Sequence, residues 1–115
     1  MRFDFQSNSF TDLSVHPEKL ALAGSDRDLS WSMLQSEAEK LAATLSALNI
    51  PAGEPVIIYG HKEARFAVAM LACYLNRTTY TPIDKIYPAD RVRRIISITG
   101  AQVLINCTDS PLPEG

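Results

Sequence analysis

The chain has 115 residues, of which 46% are hydrophobic and 21% charged, and its formal net charge is −2. This length fits one domain or part of one, and the composition is typical of a globular protein rather than a disordered one. The weak negative charge gives no electrostatic case for nucleic acid or an anionic membrane as a partner, because phosphate recognition needs a concentrated basic face.

The N-terminal residues predict only small elements. Weak patterning indicates a short helix over about 10–15, which must end before Pro17 because the residue preceding a proline is biased away from helical backbone. Two short apolar segments, 20–23 and 28–31, flank a turn-rich stretch and predict a β-hairpin. Two short strands are marginally stable alone, so we expect this hairpin to lie against the helices.

A long amphipathic helix is predicted over about 31–48. Apolar residues recur there at the three-and-four spacing that places side chains on one helix face. That face is formed by Leu34, Ala38, Leu41, Ala42, Leu45 and Leu48. Ser30 is the predicted N-cap, and Asn49 is a predicted left-handed stop before Pro51.

The first strand–helix–strand unit follows. The apolar run PVIIY at 55–59 does not alternate with polar residues, which is typical of a parallel strand covered on both faces. A helix over about 62–76 is apolar nearly all round at its centre and is expected to be buried or to lie at an interface. Residues 78–83 then predict a strand, since β-branched and aromatic residues dominate them.

A second helix–strand unit completes the pattern. Pro88 is predicted at the first helical position, where a missing N–H costs nothing. The inward face of this helix is formed by Val92, Ile95, Ile96 and Thr99. The helix is expected to end at Gly100, residues 102–106 predict a further strand, and residues 108–115 are turn-rich.

This order of elements predicts an α/β fold: a parallel sheet with flanking helices, joined by right-handed crossovers, plus a small N-terminal hairpin. We assign residues 1–107 to one N-terminal α/β subdomain and residues 108–115 to a linker or truncated tail. No predicted helix covers the strand at 102–106, and natural domains normally avoid an uncovered strand. We therefore expect the sheet to continue in a longer protein, and this polypeptide alone to self-associate through the uncovered end of its sheet.

Motifs for nucleotide or metal binding are absent from the sequence. It has no G-x-G-x-x-G, no G-x-x-x-x-G-K-[ST] and no G-x-S-x-G, and its cysteines and histidines lack zinc-site spacing. Cys73 is expected to pack as a small hydrophobe, whereas Cys107 is a candidate for exposure. The basic residues Arg91, Arg93 and Arg94 are interpreted as a solvated helix face. A cytoplasmic location is expected, because no segment is long and apolar enough for a signal peptide or a membrane span.

His61 is a candidate acid–base or ligand-contacting residue, because it follows a strand at the edge where open α/β sheets bind ligands. The alternative, which we prefer, is a loop residue bonded to backbone, since no second histidine or clear nucleophile lies near it in sequence. Asp84 and Arg91 are interpreted as an ion pair or cap that braces a turn rather than as substrate contacts. Tyr80 and Tyr87 are expected to pack or to anchor through their hydroxyl groups.

Four segments of the sequence are similar to known motifs. LACYLNRTTYTPID at 71–84 is similar to L-K-A-G-x-A-Y-x-P-x-D, and YPADR at 87–91 is similar to the Y-P-x-x-R turn that follows it. LSWSML at 29–34 resembles L-T-Y-x-x-L, and HPEKLAL at 16–22 resembles a P-x-x-x-A-L opening. In these motifs the chain resembles the adenylate-forming superfamily of acyl-CoA synthetases, luciferases and peptide-synthetase adenylation domains. Order and spacing agree over about 16–107, which implies a partial N-terminal subdomain of the adenylate-forming ligase fold.

Within this superfamily, IYGH at 58–61 and PADRV at 88–92 look most like D-alanine:carrier-protein ligases, with peptide-synthetase adenylation domains a close second. The resemblance implies a parent enzyme that uses ATP and Mg²⁺ to form an aminoacyl-adenylate. It also implies transfer of the acyl group to the phosphopantetheine thiol of a carrier protein. Fatty acyl or aryl acid ligases are an alternative, since the acid-selecting pocket of the family lies outside this segment.

The chain also departs from the family pattern. The usual glycine after the long helix is replaced by Asn76-Arg77, and Asn76 is expected to take the left-handed conformation. The family's phosphate loop, substrate pockets and catalytic lysine lie beyond this segment, so no catalytic, cofactor-binding or metal-binding residue is assigned. We expect a scaffold segment that forms no adenylate alone and whose partner is the remainder of the ligase. The alternative is a non-catalytic, truncated interaction or regulatory module.

Overall fold

The computed structural model describes residues 2–4, 9–11 and 19–112, and it confirms the predicted α/β architecture. Its elements in chain order are β1 (Arg2–Asp4), β2 (Ser9–Thr11), β3 (Leu20–Ala23), β4 (Asp28–Ser30), α1 (Trp31–Ala47), β5 (Val56–Gly60), α2 (Ala64–Leu75), β6 (Tyr80–Asp84), α3 (Ala89–Thr99) and β7 (Leu104–Asn106). Each parallel strand, and each helix between the strands, lies within a few residues of its predicted position.

Strands β1 and β2 form an antiparallel pair in which Phe3 lies opposite Phe10. The helix predicted over 10–15 is therefore wrong at Phe10 and Thr11, and its remainder lies outside the described residues. An aromatic residue followed by a β-branched one favours extended backbone, so local propensity here agrees with the strand.

The predicted hairpin is confirmed as β3 and β4, in which Leu22 lies opposite Leu29. Leu29 is fully buried and packs in a cluster with α1 and the first turns of α2. Ser30 caps α1 as predicted, because its Oγ accepts a hydrogen bond from the Met33 N–H at 3.2 Å. The hairpin is thus held by the helices, as its short strands require.

The central sheet is parallel, with strand order β6-β5-β7. Alternate residues of β5 enter two separate cores. Val56 and Ile58 pack with α1 and α2, whereas Ile57 and Tyr59 pack with α3. The sheet is therefore the middle of three layers, which explains why β5 reads as a continuous apolar run.

Strand β7 is better covered than the sequence predicts. Ile105 packs at the edge of the α1/α2 core, and Leu104 packs at the edge of the α3 core. Both faces of β7 therefore have partners, although α3 and α1/α2 precede it in the chain. Among the described strands only β5 pairs with β7, so the backbone edge of β7 that faces away from β5 has no partner strand among them.

The inward face of α1 is shorter than predicted. Leu45 is 2% exposed and lies in the core, but Leu48 is 52% exposed and is the C-cap of the helix. The prediction for Leu48 is wrong because the helix ends at Ala47 and the chain then reverses at Asn49, whose φ is 51°. Asn49 is the left-handed stop that the sequence predicts.

The other two helices also end in left-handed backbone. Gly100 closes α3 with φ 68°, as predicted. After α2, however, Asn76 has φ −90° and Arg77 takes the left-handed conformation with φ 55°. The prediction for Asn76 is wrong because its N–H is still bonded to the Ala72 carbonyl at 3.0 Å, so the reversal falls one residue later.

Pro88 lies one position earlier than predicted. It is the N-cap of α3, with extended backbone at ψ 148°, and the helix begins at Ala89. Its carbonyl accepts hydrogen bonds from the N–H groups of Arg91 and Val92 at 3.0 and 3.1 Å. Proline therefore still starts the helix, but through its carbonyl and its fixed φ.

Candidate functional site

The carboxyl ends of β5 and β6 meet at one edge of the sheet. The connection after β5 leads to α2 on one face of the sheet, and the connection after β6 leads to α3 on the other face. The two connections therefore diverge between the ends of these adjacent strands. Open α/β sheets bind ligands at such a point. Four titratable side chains lie there, and we call them the carboxyl-edge cluster: His61, Glu63, Asp84 and Lys85.

The His61 ring pairs with Asp84, and its Nδ1 lies 3.0 Å from the carboxylate. Asp84 also accepts a hydrogen bond from the Ile86 N–H at 3.1 Å, which braces the turn after β6. Burial raises the pKa of Asp84, but the bonds from Ile86 and His61 outweigh it and hold the pKa below its ordinary value. The preferred interpretation of His61 is therefore corrected, since its ring contacts a carboxylate rather than backbone.

Glu63 is the most buried member of the carboxyl-edge cluster, at 6% exposed. Its Oε1 accepts a hydrogen bond from the His61 N–H at 2.6 Å, and its Oε2 lies 3.0 Å from the Lys85 Nζ. Burial raises the pKa of Glu63, but the backbone bonds and the Lys85 ammonium together lower it below the ordinary value. Gly60 makes room for this carboxylate, because a Cβ there would lie 3.0 Å from its Oε1.

A second group of residues surrounds the start of α2, and we call it the α2 cap cluster: Asp26, Ala64, Arg65 and Asp109. Asp26, in the β3–β4 turn, accepts a hydrogen bond from the Ala64 N–H at 2.6 Å. The Arg65 guanidinium lies 3.3 Å from Asp26 and 2.7 Å from Asp109. The hairpin, α2 and the segment after β7 are thereby tied together.

The pKa of Asp26 also lies below its ordinary value. Burial raises it, but hydrogen bonds from the Ala64 N–H and the Arg65 side chain outweigh burial. The Asp109 carboxylate in turn raises the pKa of Arg65. Opposite charges therefore stabilise one another across three elements of the fold.

The charged side chains within each of the two clusters are paired with one another. Asp26, Glu63 and Asp84 each accept bonds from a backbone N–H and from a basic side chain. Over the described ranges no group of three or more His, Cys, Asp or Glu side chains could hold a metal ion. This arrangement fixes loops at the sheet edge.

The remaining candidate residues do not join the carboxyl-edge cluster. Arg91 stacks over the Tyr87 ring, 4.2 Å from its centroid, so the ion-pair alternative for Asp84 and Arg91 is wrong. The cap alternative is confirmed for Asp84, which accepts the Ile86 N–H and braces the turn. Tyr87 packs against the α3 core, as predicted. Tyr80 is partly exposed and lines a groove beside α2.

Cys73 and Cys107 are both free and buried in the α1/α2 core. Cys73 packs as predicted, but the expectation that Cys107 is exposed is wrong, since 1% of it is accessible. Its N–H bonds to the Tyr59 carbonyl at 2.8 Å, which continues the β5–β7 ladder and draws the side chain inward. Burial raises the pKa of each thiol to about 11, so neither is a reactive thiolate at neutral pH.

An open, mainly apolar groove of about 430 Å³ lies next to the carboxyl-edge cluster. It is lined by residues of β3, α2 and β6 that include Leu22, His61, Phe66, Met70 and Pro82. A neighbouring hollow of about 530 Å³ shares Met70 and extends to Tyr80. The exposed side of α2 therefore offers an apolar surface with few polar groups to orient a small ligand.

The sequence gives no separate signal for Asp26, Glu63 or Lys85. In the sequence Glu63 and Lys85 resemble ordinary surface charges. They come together only because β5 and β6 pair and end side by side. The proximity of His61 and Asp84 could have been predicted, because each follows a predicted strand and the two strands end at the same edge of a parallel sheet.

A family model described as AMP-binding enzyme matches residues 10–114 of the chain. A curated relative from Bacillus licheniformis, called D-alanine--D-alanyl carrier protein ligase, is 33% identical over 101 residues. That match covers 88% of this chain and 20% of the relative. The chain therefore spans about one fifth of the length of this curated relative.

Two solved structures share the fold. CmiS6 is 27% identical with a TM-score of 0.76, and the match covers 89% of this chain and 26% of that one. The N-terminal subdomain of NpsA from Klebsiella oxytoca is 24% identical with a TM-score of 0.72, covering 89% of this chain and 27% of that one.

In the part of the chain that the structure describes, no helix combines the length and apolar character needed to cross a membrane.

Proposed function

Because the chain belongs to the AMP-binding enzyme family, we propose that it is the N-terminal scaffold of an ATP-dependent, AMP-forming ligase. In this proposal the ligase activates D-alanine as an adenylate and transfers it to the phosphopantetheine thiol of a carrier protein. The observation that carries the proposal is the 33% identity to the B. licheniformis ligase, which extends over 88% of this chain. The AMP-binding match over residues 10–114 supports the same reaction class.

The proposed role of this segment is structural. Its paired carboxylates and its buried thiols leave no assigned catalytic, cofactor-binding or metal-binding group among the described residues. In the complete ligase, the donors that hold ATP and Mg²⁺ would come from the remainder of the chain, which is the expected partner of this segment. What this chain contributes is a three-layer support whose sheet edge is fixed by the carboxyl-edge cluster.

We also propose that residues 1–107 belong to the N-terminal α/β subdomain and that residues 108–115 are a linker or truncated tail. The first linker residues are tethered, because Asp109 pairs with Arg65 and Thr108 bonds to the Asn106 side chain. A cytoplasmic location is proposed with the ligase, and two free cysteines are consistent with a reducing compartment.

The test is D-alanine-dependent exchange of pyrophosphate into ATP. We expect no exchange with the purified 115-residue chain, and exchange by this chain alone would overturn its role as a scaffold. The second arm adds the complementary four fifths of the B. licheniformis ligase, supplied as a separate polypeptide. Restored exchange is expected and would support the scaffold role. Because the acid-selecting pocket lies outside this segment, the D-alanine assignment is tested on the complete ligase that contains this chain, where exchange with a fatty or aryl acid instead of D-alanine would overturn it.

Two variants of this chain show whether restored exchange depends on its folded core. Val56→Asp places a charge in the core of the sheet and should abolish restoration, because a buried unpaired charge unfolds the scaffold. Glu39→Gln changes an exposed residue of α1 and should leave restoration unchanged. Failure of the wild-type chain to restore any exchange, although it is folded by circular dichroism, would count against a scaffold that assembles with this ligase.

A further inference from the structure

The layer of helices on the α1/α2 face of the sheet stops short of β6. Pro82 lies beside Ile58 in the parallel pairing, so its ring points to the α1/α2 face, and Tyr80 points the same way two residues earlier. Ile58 is fully buried under the two helices, whereas Tyr80 is 37% exposed and Pro82 is also exposed. On the opposite face Ile83 is fully buried against α3. Within the described ranges β6 is therefore covered on one face only, although parallel sheets are normally covered on both.

The helix beside this uncovered face, α2, carries no charge along most of its length. Residues 66–76 contain no charged side chain. By contrast, α1 exposes Glu39 and Lys40, and α3 exposes Arg91 and Arg94. A helix that is apolar nearly all round is normally buried, so α2 is expected to be covered on its outer side as well.

The outer side of α2 and the open face of β6 form one surface. We call it the α2–β6 corner: Ala67, Met70, Tyr74, Tyr80 and Pro82. The groove of about 430 Å³ and the hollow of about 530 Å³ both lie along this corner and share Met70. A continuous exposed apolar surface of this kind marks a site of association.

Another strand does not account for this surface, because β6 has the character of an edge strand. The Lys85 N–H bonds to the Gly60 carbonyl at 2.9 Å, so residues in phase with Lys85 direct their backbone groups toward β5. Pro82 is out of phase and lies in the row that faces away, where its missing N–H interrupts strand pairing. An incoming element therefore covers the face of β6 rather than extending the sheet.

We propose that an apolar segment of the remaining ligase chain packs into the α2–β6 corner and completes the helical layer over β6. This inference rests on the proposed function, in which the missing four fifths of the ligase supply that segment. The five corner residues are uncharged, so the side chains that meet them should be aliphatic or aromatic. Arg77 lines the hollow at one end, and His61 and Glu63 line the groove at the other, so polar residues should flank the apolar segment.

The test compares thiol labelling of this chain alone with labelling of the complete ligase that contains it. Ala67→Cys and Tyr80→Cys place reporters in the corner, and Ala43→Cys is the matched control on the exposed side of α1. The natural thiols Cys73 and Cys107 are buried and should not compete for a maleimide. Mass spectrometry of each peptide should show that positions 67 and 80 are labelled in this chain alone and lose labelling in the complete ligase. Position 43 should be labelled in both.

Three results would overturn the docking surface. The corner positions could be labelled as fast in the complete ligase as in this chain alone, or position 43 could be protected as strongly as they are. Protection of the corner in this chain alone that increases with concentration would assign it to a second copy instead.

A charge at the corner separates this inference from the proposed function. Ala67→Glu keeps a good helix former in α2, and Ala43→Glu makes the same change on α1. Ala67→Glu should weaken association with the separately supplied remainder by at least about tenfold, because an unpaired charge would be buried, whereas Ala43→Glu should not. Unchanged association and exchange with Ala67→Glu would overturn the docking surface alone. A complete ligase that protects the corner but shows no exchange with D-alanine would overturn the proposed activity and leave this inference standing.

Discussion

Arg77 holds a backbone conformation that residues with a side chain normally avoid. Its φ is 55°. When Asp84 is aligned with the final Asp of the motif L-K-A-G-x-A-Y-x-P-x-D, Arg77 lies at the position of the motif's glycine. The conformation is imposed by the end of α2, since the Arg77 N–H bonds to the Tyr74 carbonyl and the Thr78 N–H bonds to the Cys73 carbonyl. Left-handed backbone costs roughly 1–2 kcal/mol in an L-residue, so the chain carries strain at this turn.

Arg77→Gly should therefore stabilise the fold by about 0.5–1 kcal/mol. Relief of the left-handed strain is partly offset because glycine gives the unfolded chain more freedom, by roughly 0.4–1 kcal/mol. Urea unfolding monitored by circular dichroism measures the difference. Arg77→Ala removes the same guanidinium but keeps the backbone conflict, so it should lie near wild type. Equal stability of the Gly and Ala variants would contradict the strain.

At the scale of elements, α2 begins with a cap that another element supplies. Its own N-cap residue, Glu63, directs its carboxylate to His61 and Lys85 and makes no side-chain cap bond. Asp26 satisfies the Ala64 N–H instead. The hairpin turn approaches closely because Gly24 has no side chain, since a Cβ there would lie 2.4 Å from the Ala64 nitrogen.

Asp26→Ala should cost about 0.5–2 kcal/mol, the usual range for loss of a helix N-cap. It should also loosen the hairpin, because Arg65 loses one of its two carboxylate partners. Asp26→Asn keeps an oxygen that accepts from the Ala64 N–H, so its loss should be clearly smaller. Thermal unfolding gives the stabilities, and amide exchange of the Ala64 N–H reports the cap directly. Equal losses in the two variants would show that the charge, rather than the cap, stabilises this contact.

The elements themselves were predictable because their signals are local. The three-and-four spacing of α1 and the unbroken apolar run of β5 each identify a buried surface without knowledge of the partner. The Asp26–Ala64 cap joins residues 38 positions apart and depends on how the hairpin docks, which no local pattern encodes. The left-handed turn was predicted one residue early, because side-chain preference favours asparagine while the last hydrogen bonds of α2 decide the position.

At the scale of the whole molecule, three carboxylates with lowered pKa values connect the layers. Asp26 joins the hairpin to α2, Glu63 joins the start of α2 to the β6 turn, and Asp84 joins that turn to the end of β5. In the unfolded chain these groups would return to ordinary pKa values near 4. Between the folded and unfolded pKa values the unfolded state binds more protons, so the free energy of unfolding rises with pH there.

The molecule should therefore lose stability in acid, and Glu63 should contribute a defined share. Its contribution is fully present above the ordinary carboxyl pKa and is lost as pH falls through the lowered pKa of the folded state. Glu63→Gln cannot titrate, so it should be less stable than wild type at pH 7 yet lose less stability on going to pH 3. Urea unfolding at both pH values measures the two differences.

Glu39→Gln is the matched control for this loss of a titrating group, because Glu39 is exposed on α1, where its carboxylate accepts a bond from Gln35. It should leave the difference in stability between pH 7 and pH 3 close to that of wild type. Contributions that all variants share, such as the His61–Asp84 pair, cancel in this comparison. If Glu63→Gln loses as much stability in acid as wild type, the pair of buried Glu63 with Lys85 does not connect the layers, and the acid sensitivity must come from Asp26 and Asp84.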